Sequence, residues 1–412
     1  MKHALFSFVL LAACGAFAAP GALTVNSVTP NAGDGTVTIS YDLAGDEAAI
    51  VTMSVTVGGV TYERLTVAGD VARRVTAATG KSITWDPRGD VPGGSYDAGS
   101  MTVNLKAWSL QTPPDYMAVN LIGFKHILYY ASLDALPEPV SSKRWREEWM
   151  LFRRIPAKGV TWRMGVSSRD YCWSPNEHAN ASLGYQAPRE VTNDADFYIG
   201  VFEVTQEQYY RITKSRPSTI GSSAWNTLPN SSHYAAHQID WKWHPVESVT
   251  WTLANVVATK LADYSGLPIK LPSSQQWEYA CRGETKGSTY YVSNLADLKQ
   301  NDPDHIRPIG VNFQVQDSYY GGGQNVGHPQ YACHLPVGQK TPNKWGVYDM
   351  IGNVGEWCSG YYDEAAGTRP YRGGWIKMSG EGMGAGYCLG VGPDSFSDSG
   401  YCCGMRLACA IP

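Results

Sequence analysis

Eight short segments rich in glycine and aromatic residues follow one another between residues 155 and 406 of this 412-residue chain. The segments are residues 155–165, 197–206, 245–251, 271–283, 336–338, 342–357, 372–374 and 404–406. The chain contains 43 Gly, 14 Trp and 25 Tyr, and only 17% of its residues are charged. Such a composition favours a loop-rich fold held by aromatic rings over a helical bundle.

Taken in order, these segments resemble the formylglycine-generating-enzyme (sulfatase-modifying-factor) domain, a variant of the C-type lectin-like fold. They include Leu271-Pro-Ser-Ser-Gln-Gln-Trp277, Gly352-Asn-Val-Gly-Glu356-Trp, Arg372-Gly-Gly and Gly404-Met-Arg406, and it is their common order that carries the resemblance. The resemblance covers residues 150–412 and implies an α+β domain with little regular secondary structure.

Two helices are predicted within this domain, over residues 207–213 and 251–264. Thr205 can cap the first in a capping box with Gln208, and Ser273 or Ser274 can cap a further helix over residues 275–280. In the helix over residues 251–264, a mostly apolar stripe is expected to face the core. The stripe consists of Val249, Leu253, Val256, Val257, Lys260 and Leu261.

Residues 22–110 read as a separate domain of short alternating strands. Strands are predicted at residues 23–28, 35–41, 49–57, 82–85 and 99–108, with glycine-rich turns between them. This pattern is typical of an immunoglobulin-like or fibronectin-like β-sandwich. Residues 111–149 then form a linker and lead-in to the second domain.

The N-terminus reads as an export signal. A signal peptide is predicted over residues 1–18. The chain begins with a short positive region at Lys2, continues with an apolar run to Leu11, and then has the small-x-small cleavage sequence Ala16-Phe-Ala18. Leu11-Ala-Ala-Cys14-Gly also resembles a bacterial lipobox, in which Cys14 would carry a lipid anchor. Either interpretation predicts an exported protein that is periplasmic, on the cell surface or secreted. No later apolar run is long enough to span a membrane.

The net charge of −4 and the absence of a basic cluster argue against nucleic acid as a partner. The nearest approach is Lys143-Arg144 with Arg146 and Arg153-Arg154, which is interrupted by Glu147 and Glu148.

The resemblance implies a structural calcium site in the turn before Trp357. Its ligands would be the side chains of Asn353 and Glu356 with the carbonyls of Val354 and Gly355, because hard oxygen donors in a tight turn suit Ca²⁺. In the alternative interpretation Asn353 caps the turn and Glu356 bonds the backbone.

The cysteines suggest disulfides, since nine fall to eight once Cys14 is removed or lipidated. The resemblance implies one bridge, Cys281–Cys388. The remaining cysteines stay unassigned: Cys172, Cys333, Cys358, Cys402, Cys403 and Cys409.

The resemblance also locates the positions of the family's oxidase chemistry. That chemistry uses two cysteines five residues apart, after a Gly-Gly-Ser turn, to hold Cu(I). This chain has Met378 and Met383 there, and Trp375 in place of the serine. A thioether cannot act as a thiolate nucleophile, so we expect no catalytic residues. Methionine can bind Cu(I), but methionines more commonly fill apolar gaps, and we expect no copper.

No other catalytic constellation stands out. His233, His237 and His244 lie near one another in sequence without a zinc-ligand spacing. We therefore expect a binding or scaffold module whose partner is an extracellular glycan, peptide or protein. Aromatic loops support this expectation: Trp225, Trp241, Trp243, Tyr319-Tyr320 and Tyr361-Tyr362. Two alternatives remain, a modifying oxidoreductase of the same family and a ligand-binding protein diversified by a retroelement.

Overall fold

A computed structural model describes residues 22–45, 47–92, 101–123, 126–165, 188–219, 241–283, 334–376, 388–394 and 403–412. The described residues form a mixed α+β structure with many short strands and few helices. The chain divides into two compact units. Unit 1 comprises Met1–Tyr62 and Val67–Pro113, and unit 2 comprises Glu63–Thr66 and Pro114–Pro412.

Unit 1 is built from antiparallel strands. Its strands are β1 (Leu23–Pro30), β2 (Val37–Leu43), β3 (Ala49–Val57), β4 (Val60–Tyr62), β5 (Val67–Gly69), β6 (Arg74–Val75), β7 (Ala78–Trp85) and β8 (Met101–Ser109). One sheet has the order β1-β2-β7-β5, and in another β3 pairs with β8 along one edge and with β4 and β6 along the other. In β2 every second residue is buried, as a strand with one face toward a core requires. The strands predicted from sequence are confirmed as β1, β2, β3, β7 and β8, whereas the immunoglobulin-like topology stays a prediction.

Unit 2 contains a six-stranded antiparallel sheet, a two-stranded sheet and a four-stranded sheet. Its strands are β9 (Tyr116–Asn120), β10 (Ile127–Tyr130), β11 (Trp149–Ile155), β12 (Thr161–Met164), β13 (Arg189–Thr192), β14 (Phe197–Gly200), β15 (Ile269–Lys270), β16 (Gly355–Trp357), β17 (Arg369–Arg372), β18 (Cys388–Val391), β19 (Cys403–Gly404) and β20 (Ala408–Ala410). The six-stranded order is β10-β9-β11-β14-β20-β15, so the C-terminal strand lies inside the sheet. The four-stranded order is β18-β17-β16-β19, and only β16 and β19 run parallel.

Three helices of unit 2 begin within one residue of the predicted starts, and a fourth, α1, was not predicted. They are α1 (Arg144–Glu147), α2 (Gln206–Thr213), α3 (Trp251–Ser265) and α4 (Ser274–Arg282). Thr205 and Gln208 form a reciprocal capping box at α2, and Ser273 and Gln276 form another at α4. Each box satisfies two backbone N–H groups that the helix itself leaves without partners.

Helix α3 buries only part of the predicted stripe. Leu253 and Val256 are 38% and 41% exposed, whereas Val257 and Leu261 are buried as expected. The inward stripe instead runs through the alanines of the helix, Ala254 and Ala258. Small side chains there let the helix backbone approach the core closely, and two larger apolar side chains are left on the surface.

Among the described residues, no helix combines the length and the apolar character needed to cross a membrane.

Candidate functional site

Strand β16 and the turn before it carry most of the residues that the sequence singled out. The register of the four-stranded sheet sets Glu356 opposite Arg372 on β17 and beside Gly404 on β19. Arg372 in turn lies opposite Cys388 on β18. Residues of four strands therefore meet at one buried position.

Asn353 fixes the turn by bonding to neighbouring segments. Its backbone has a φ of 60°, in the left-handed region that asparagine tolerates better than most residues. Its Oδ1 accepts a bond from the Leu335 N–H at 2.9 Å, and its Nδ2 donates to Glu203 Oε2 at 2.7 Å. The other oxygen of Glu203 accepts from the Val354 N–H at 3.1 Å. Both polar atoms of the Asn353 side chain are thus engaged in protein contacts.

Glu356 is neutralised by Arg406. The Arg406 Nη2 donates to Glu356 Oε1 at 2.8 Å, and its Nε lies 3.1 Å from both carboxylate oxygens. The Trp277 indole N–H donates to Glu356 Oε2 at 2.6 Å. Glu356, Arg406 and Trp277 are all buried. This is a charge-assisted pair with excellent geometry, the kind that withstands removal from water.

These contacts test the predicted calcium ligands. The Glu356 carboxylate is satisfied by a guanidinium and an indole, and a guanidinium in direct contact would repel a divalent cation. The Asn353 Oδ1 is occupied by a backbone N–H. Within the described ranges, no group of three or more His, Cys, Asp or Glu side chains is arranged to hold a metal ion. The Asn353 and Glu356 side chains therefore do not fit Ca²⁺ ligation in this arrangement, and the calcium assignment itself stays a prediction. Asn353 bonds the neighbouring segments as the alternative interpretation expects, whereas Glu356 bonds side chains and not the backbone.

Two further carboxyl groups surround this pair. Burial raises the pKa of Glu203 well above its usual value, and the charges of Asp349 and Glu356 raise it further. Burial likewise raises the pKa of Asp349 to about 6, although the hydrogen bond from the Gly338 N–H partly lowers this pKa. Arg406 lowers both pKa values but faces three acids. The cluster as a whole therefore favours the protonated form of at least one carboxyl group.

Arg372 organises the segment that would lead to the family's oxidase positions. Its Nη1 lies 3.0 Å from Glu278 Oε2, and its Nε donates to Ser274 Oγ at 2.7 Å. Gly373 and Gly374 follow with φ values of 90° and 69°, which explains the glycines. Trp375 is half-buried with its ring 5.8 Å from that of Tyr371. Met378 and Met383 lie outside the described residues.

Cys281 and Cys388 are both buried, and both carry free thiols in the structure. The Cys281 Sγ lies 3.9 Å from the Met350 carbonyl oxygen, and the Cys388 Sγ lies 3.8 Å from Ser274 Oγ. The predicted bridge between them is thus not formed here and stays a prediction. Cys358 and Cys409 also carry free thiols, and Cys403 is buried in β19. Cys172, Cys333 and Cys402 lie outside the described residues.

A buried histidine pair was missed by the sequence reasoning. His244 and His334 are fully buried, and their Nδ1 atoms lie 2.8 Å apart. Burial lowers the pKa of His334 to about 3 and that of His244 well below 6.5. The pair thus holds one shared hydrogen bond between neutral rings. Its members are 90 residues apart, so spacing carries no signal for it, and His233 and His237 lie outside the described residues.

An arginine stacked between two aromatic rings marks the surface near α3. The Arg369 guanidinium lies 3.9 Å from the Trp251 ring centroid and 3.6 Å from that of Tyr361. Tyr361 and Tyr362 are 49% and 37% exposed. The other aromatic loops differ, because Trp241 contacts His244 and Trp243 bonds Glu147, while Trp225, Tyr319 and Tyr320 lie outside the described residues.

The segments that build this site match a known protein family. Residues 158–407 match the family described as the sulfatase-modifying factor enzyme 1-like domain. Because this match covers more than half of the chain, the protein belongs to that family, as the resemblance implied.

Three relatives illustrate the range of the family. The chain is 25% identical to the chaperone protein LppX of Paenibacillus barcinonensis, over 40% of this chain and 62% of that protein. It is 27% identical to the formylglycine-generating enzyme of Thermomonospora curvata, over 47% of this chain and 51% of that enzyme. It is 25% identical to the inactive C-alpha-formylglycine-generating enzyme 2 of Bos taurus, over 54% of this chain and 76% of that protein. The chain thus spans about half to three quarters of these relatives.

Among solved structures, the Treponema denticola variable protein 1 aligns with 64% of this chain and 96% of its own, at 21% identity and a TM-score of 0.44.

Proposed function

We propose that this chain is an exported protein whose family domain serves as a binding or scaffold module without oxidase activity. Unit 1 would be an immunoglobulin-like or fibronectin-like β-sandwich that presents this domain. The observation that carries the proposal is that methionines, Met378 and Met383, occupy the two positions at which the family resemblance places the oxidase cysteines.

Physical chemistry explains why this replacement matters. Oxidation of a substrate cysteine through a mixed disulfide requires a thiolate, and a methionine thioether is neutral and cannot form one. Trp375 adds a bulky ring where the family turn carries a small serine. A relative named as inactive within the same family supports the view that the scaffold persists without this chemistry.

A peptide assay tests the proposal. The purified full chain is incubated with a Cys-x-Pro-x-Arg peptide, Cu(I) and oxygen, and the peptide is analysed by mass spectrometry for the aldehyde. The formylglycine-generating enzyme of Thermomonospora curvata serves as the positive control. We expect no formylglycine with this chain. Its formation would establish the alternative, a modifying oxidoreductase of the family.

The partner is proposed to be an extracellular glycan, peptide or protein. The support comes from exposed aromatic and apolar side chains on unit 2, chiefly Tyr361, Tyr362, Leu253 and Val256. Arrays of glycans and peptides test this with the full chain in the presence of calcium. The alternative, a ligand-binding protein diversified by a retroelement, would instead be indicated by a near-repeat of residues 375–403 beside a reverse-transcriptase gene.

A further inference from the structure

Three buried hydrogen-bond donors in one part of unit 2 lack an acceptor among the described residues. They are Nε1 of Trp149, Nε of Arg144 and the hydroxyl group of Tyr130. Trp149 is 1% exposed and Tyr130 is 7% exposed, so solvent does not serve as the acceptor. Buried donors are almost always paired in folded proteins, and three neighbouring exceptions need a physical explanation.

Arg144 is the common neighbour of the other two donors. Its Cζ lies 4.8 Å from the centroid of the Trp149 ring. Tyr130 and Trp149 belong to one cluster of buried hydrophobic side chains. Burial raises the pKa of Tyr130 to about 12, and the charge of Arg144 partly lowers this pKa. The Tyr130 hydroxyl group is therefore protonated at neutral pH and can donate a hydrogen bond.

The unpaired edge of the Arg144 guanidinium has the geometry of an anion site. Nη1 donates to Glu138 Oε1 at 3.2 Å, and the other oxygen of Glu138 accepts a bond from Ser142 Oγ. The Nε and Nη2 atoms share a different edge of the guanidinium, and neither bonds to a described residue. Two parallel N–H groups on one edge are the fork with which arginine holds an anion.

Arg64 adds positive charge at the Trp149 ring. It belongs to unit 2, and its Cζ lies 5.4 Å from the ring centroid. Arg64 forms no salt bridge with a carboxylate in the described part of the chain. The acids described nearby are Glu138, which is already paired with Arg144, and the exposed Glu63. Two guanidinium groups against one ring favour an anion at its N–H edge.

We propose that a chloride ion binds inside unit 2, held by Trp149 Nε1, the Nε and Nη2 edge of Arg144 and the Tyr130 hydroxyl group. This site is separate from the proposed binding function, because its donors are buried and out of reach of an extracellular partner. Enclosed donors suit a monatomic anion better than a larger oxyanion. An anion accepts from all these donors at once, whereas a water molecule accepts from two and needs acceptors for its own protons.

Thermal unfolding of the full chain tests the site with chloride as the probe. Sodium chloride replaces sodium gluconate at constant ionic strength, from about 5 to about 500 mM. We expect the melting temperature to rise saturably by roughly 2–5 °C, because the ion binds only to the folded chain. Trp149→Phe keeps an aromatic ring but removes the N–H, and should reduce this rise to less than about 1 °C. Trp345→Phe is the matched control, because it removes another buried, unpartnered indole N–H in a different hydrophobic cluster and should keep the full rise.

Bromide can take the place of chloride in a crystal, and its anomalous scattering locates the ion directly. We expect a peak in contact with Trp149 Nε1 and the Arg144 guanidinium. Equal melting temperatures in gluconate and chloride, a full chloride response in Trp149→Phe, or a crystal without this peak would overturn the proposal. Circular dichroism confirms that each variant is folded. If Trp149→Phe does not fold, Tyr130→Phe removes only a hydroxyl group and should still lower the chloride response.

Discussion

Replacing Arg406 by methionine is expected to be among the most damaging single changes in unit 2. The substitution keeps a long unbranched side chain but removes every donor. In the structure the guanidinium bonds Glu356, the Gly200 carbonyl at 2.9 Å and the Tyr348 carbonyl at 2.8 Å. Among the described residues, methionine would leave the buried carboxylate with the Trp277 indole as its remaining hydrogen-bond donor.

The magnitude follows from the group left behind. Removing one partner of a buried ion pair costs about 3–5 kcal/mol, because the other charge stays buried and uncompensated. The two carbonyls each lose a donor, at a cost of about 1 kcal/mol apiece. Partial relaxation offsets some of this, so we expect a loss of about 5 kcal/mol in the free energy of unfolding. A typical domain has about 5–15 kcal/mol in total.

Urea unfolding followed by near-ultraviolet circular dichroism measures the loss. Arg216→Met is the matched control, since Arg216 is 53% exposed beside Glu207 and should cost under about 1 kcal/mol. The double variant Arg406→Met, Glu356→Met should regain stability relative to Arg406→Met, because it removes the stranded charge as well. A loss below about 1 kcal/mol for Arg406→Met, or a double variant worse than either single one, would refute the reasoning.

Three further predictions concern the histidine pair, the calcium turn and the tight packing of β16. The pKa of His334 is about 3 in the folded chain and about 6.5 in the unfolded chain, so between these pH values the imidazole is protonated only in the unfolded chain. Stability therefore falls on acidification, by about 2 kcal/mol from this residue between pH 6.5 and 5. The raised pKa values of Glu203 and Asp349 act in the opposite direction, so the His334 effect must be isolated by a variant. The free energy of unfolding in urea is therefore measured at both pH values for the wild type and for His334→Asn, and an equal loss of stability in the two proteins would contradict the prediction. Since the turn residues do not fit Ca²⁺, exchanging calcium for a chelator should move the melting temperature by less than about 1 °C, and a shift of several degrees would restore the calcium assignment. Gly355→Ala should destabilise unit 2 by roughly 1–3 kcal/mol in thermal unfolding, because its Cβ would lie 2.0 Å from Tyr371 Cζ, and a neutral result would show that the ring can move.

The sequence by itself determined the local features. Thr205 and Ser273 predict the starts of their helices, because a capping box is formed by two residues that are only three positions apart. Strand β2 could be predicted because its apolar and polar residues alternate with the period of two that a half-buried strand requires. The family could be recognised because its motifs are short and contiguous. Glu203 and Arg406 lie within these motifs, but their roles could not be predicted from them.

Tertiary structure alone decided the contacts across the chain. Asn353 meets Glu203 across 150 residues, and Arg406 meets Glu356 across 50, so no periodicity reveals these pairs. They engage the Asn353 and Glu356 side chains, for which the turn motif suggested calcium ligation. The inward face of α3 was also decided by packing, because Ala254 and Ala258 fit against the core better than the larger side chains of Leu253 and Val256. Local rules fix caps and strands, whereas the partners of buried charges depend on which distant segments the fold brings together.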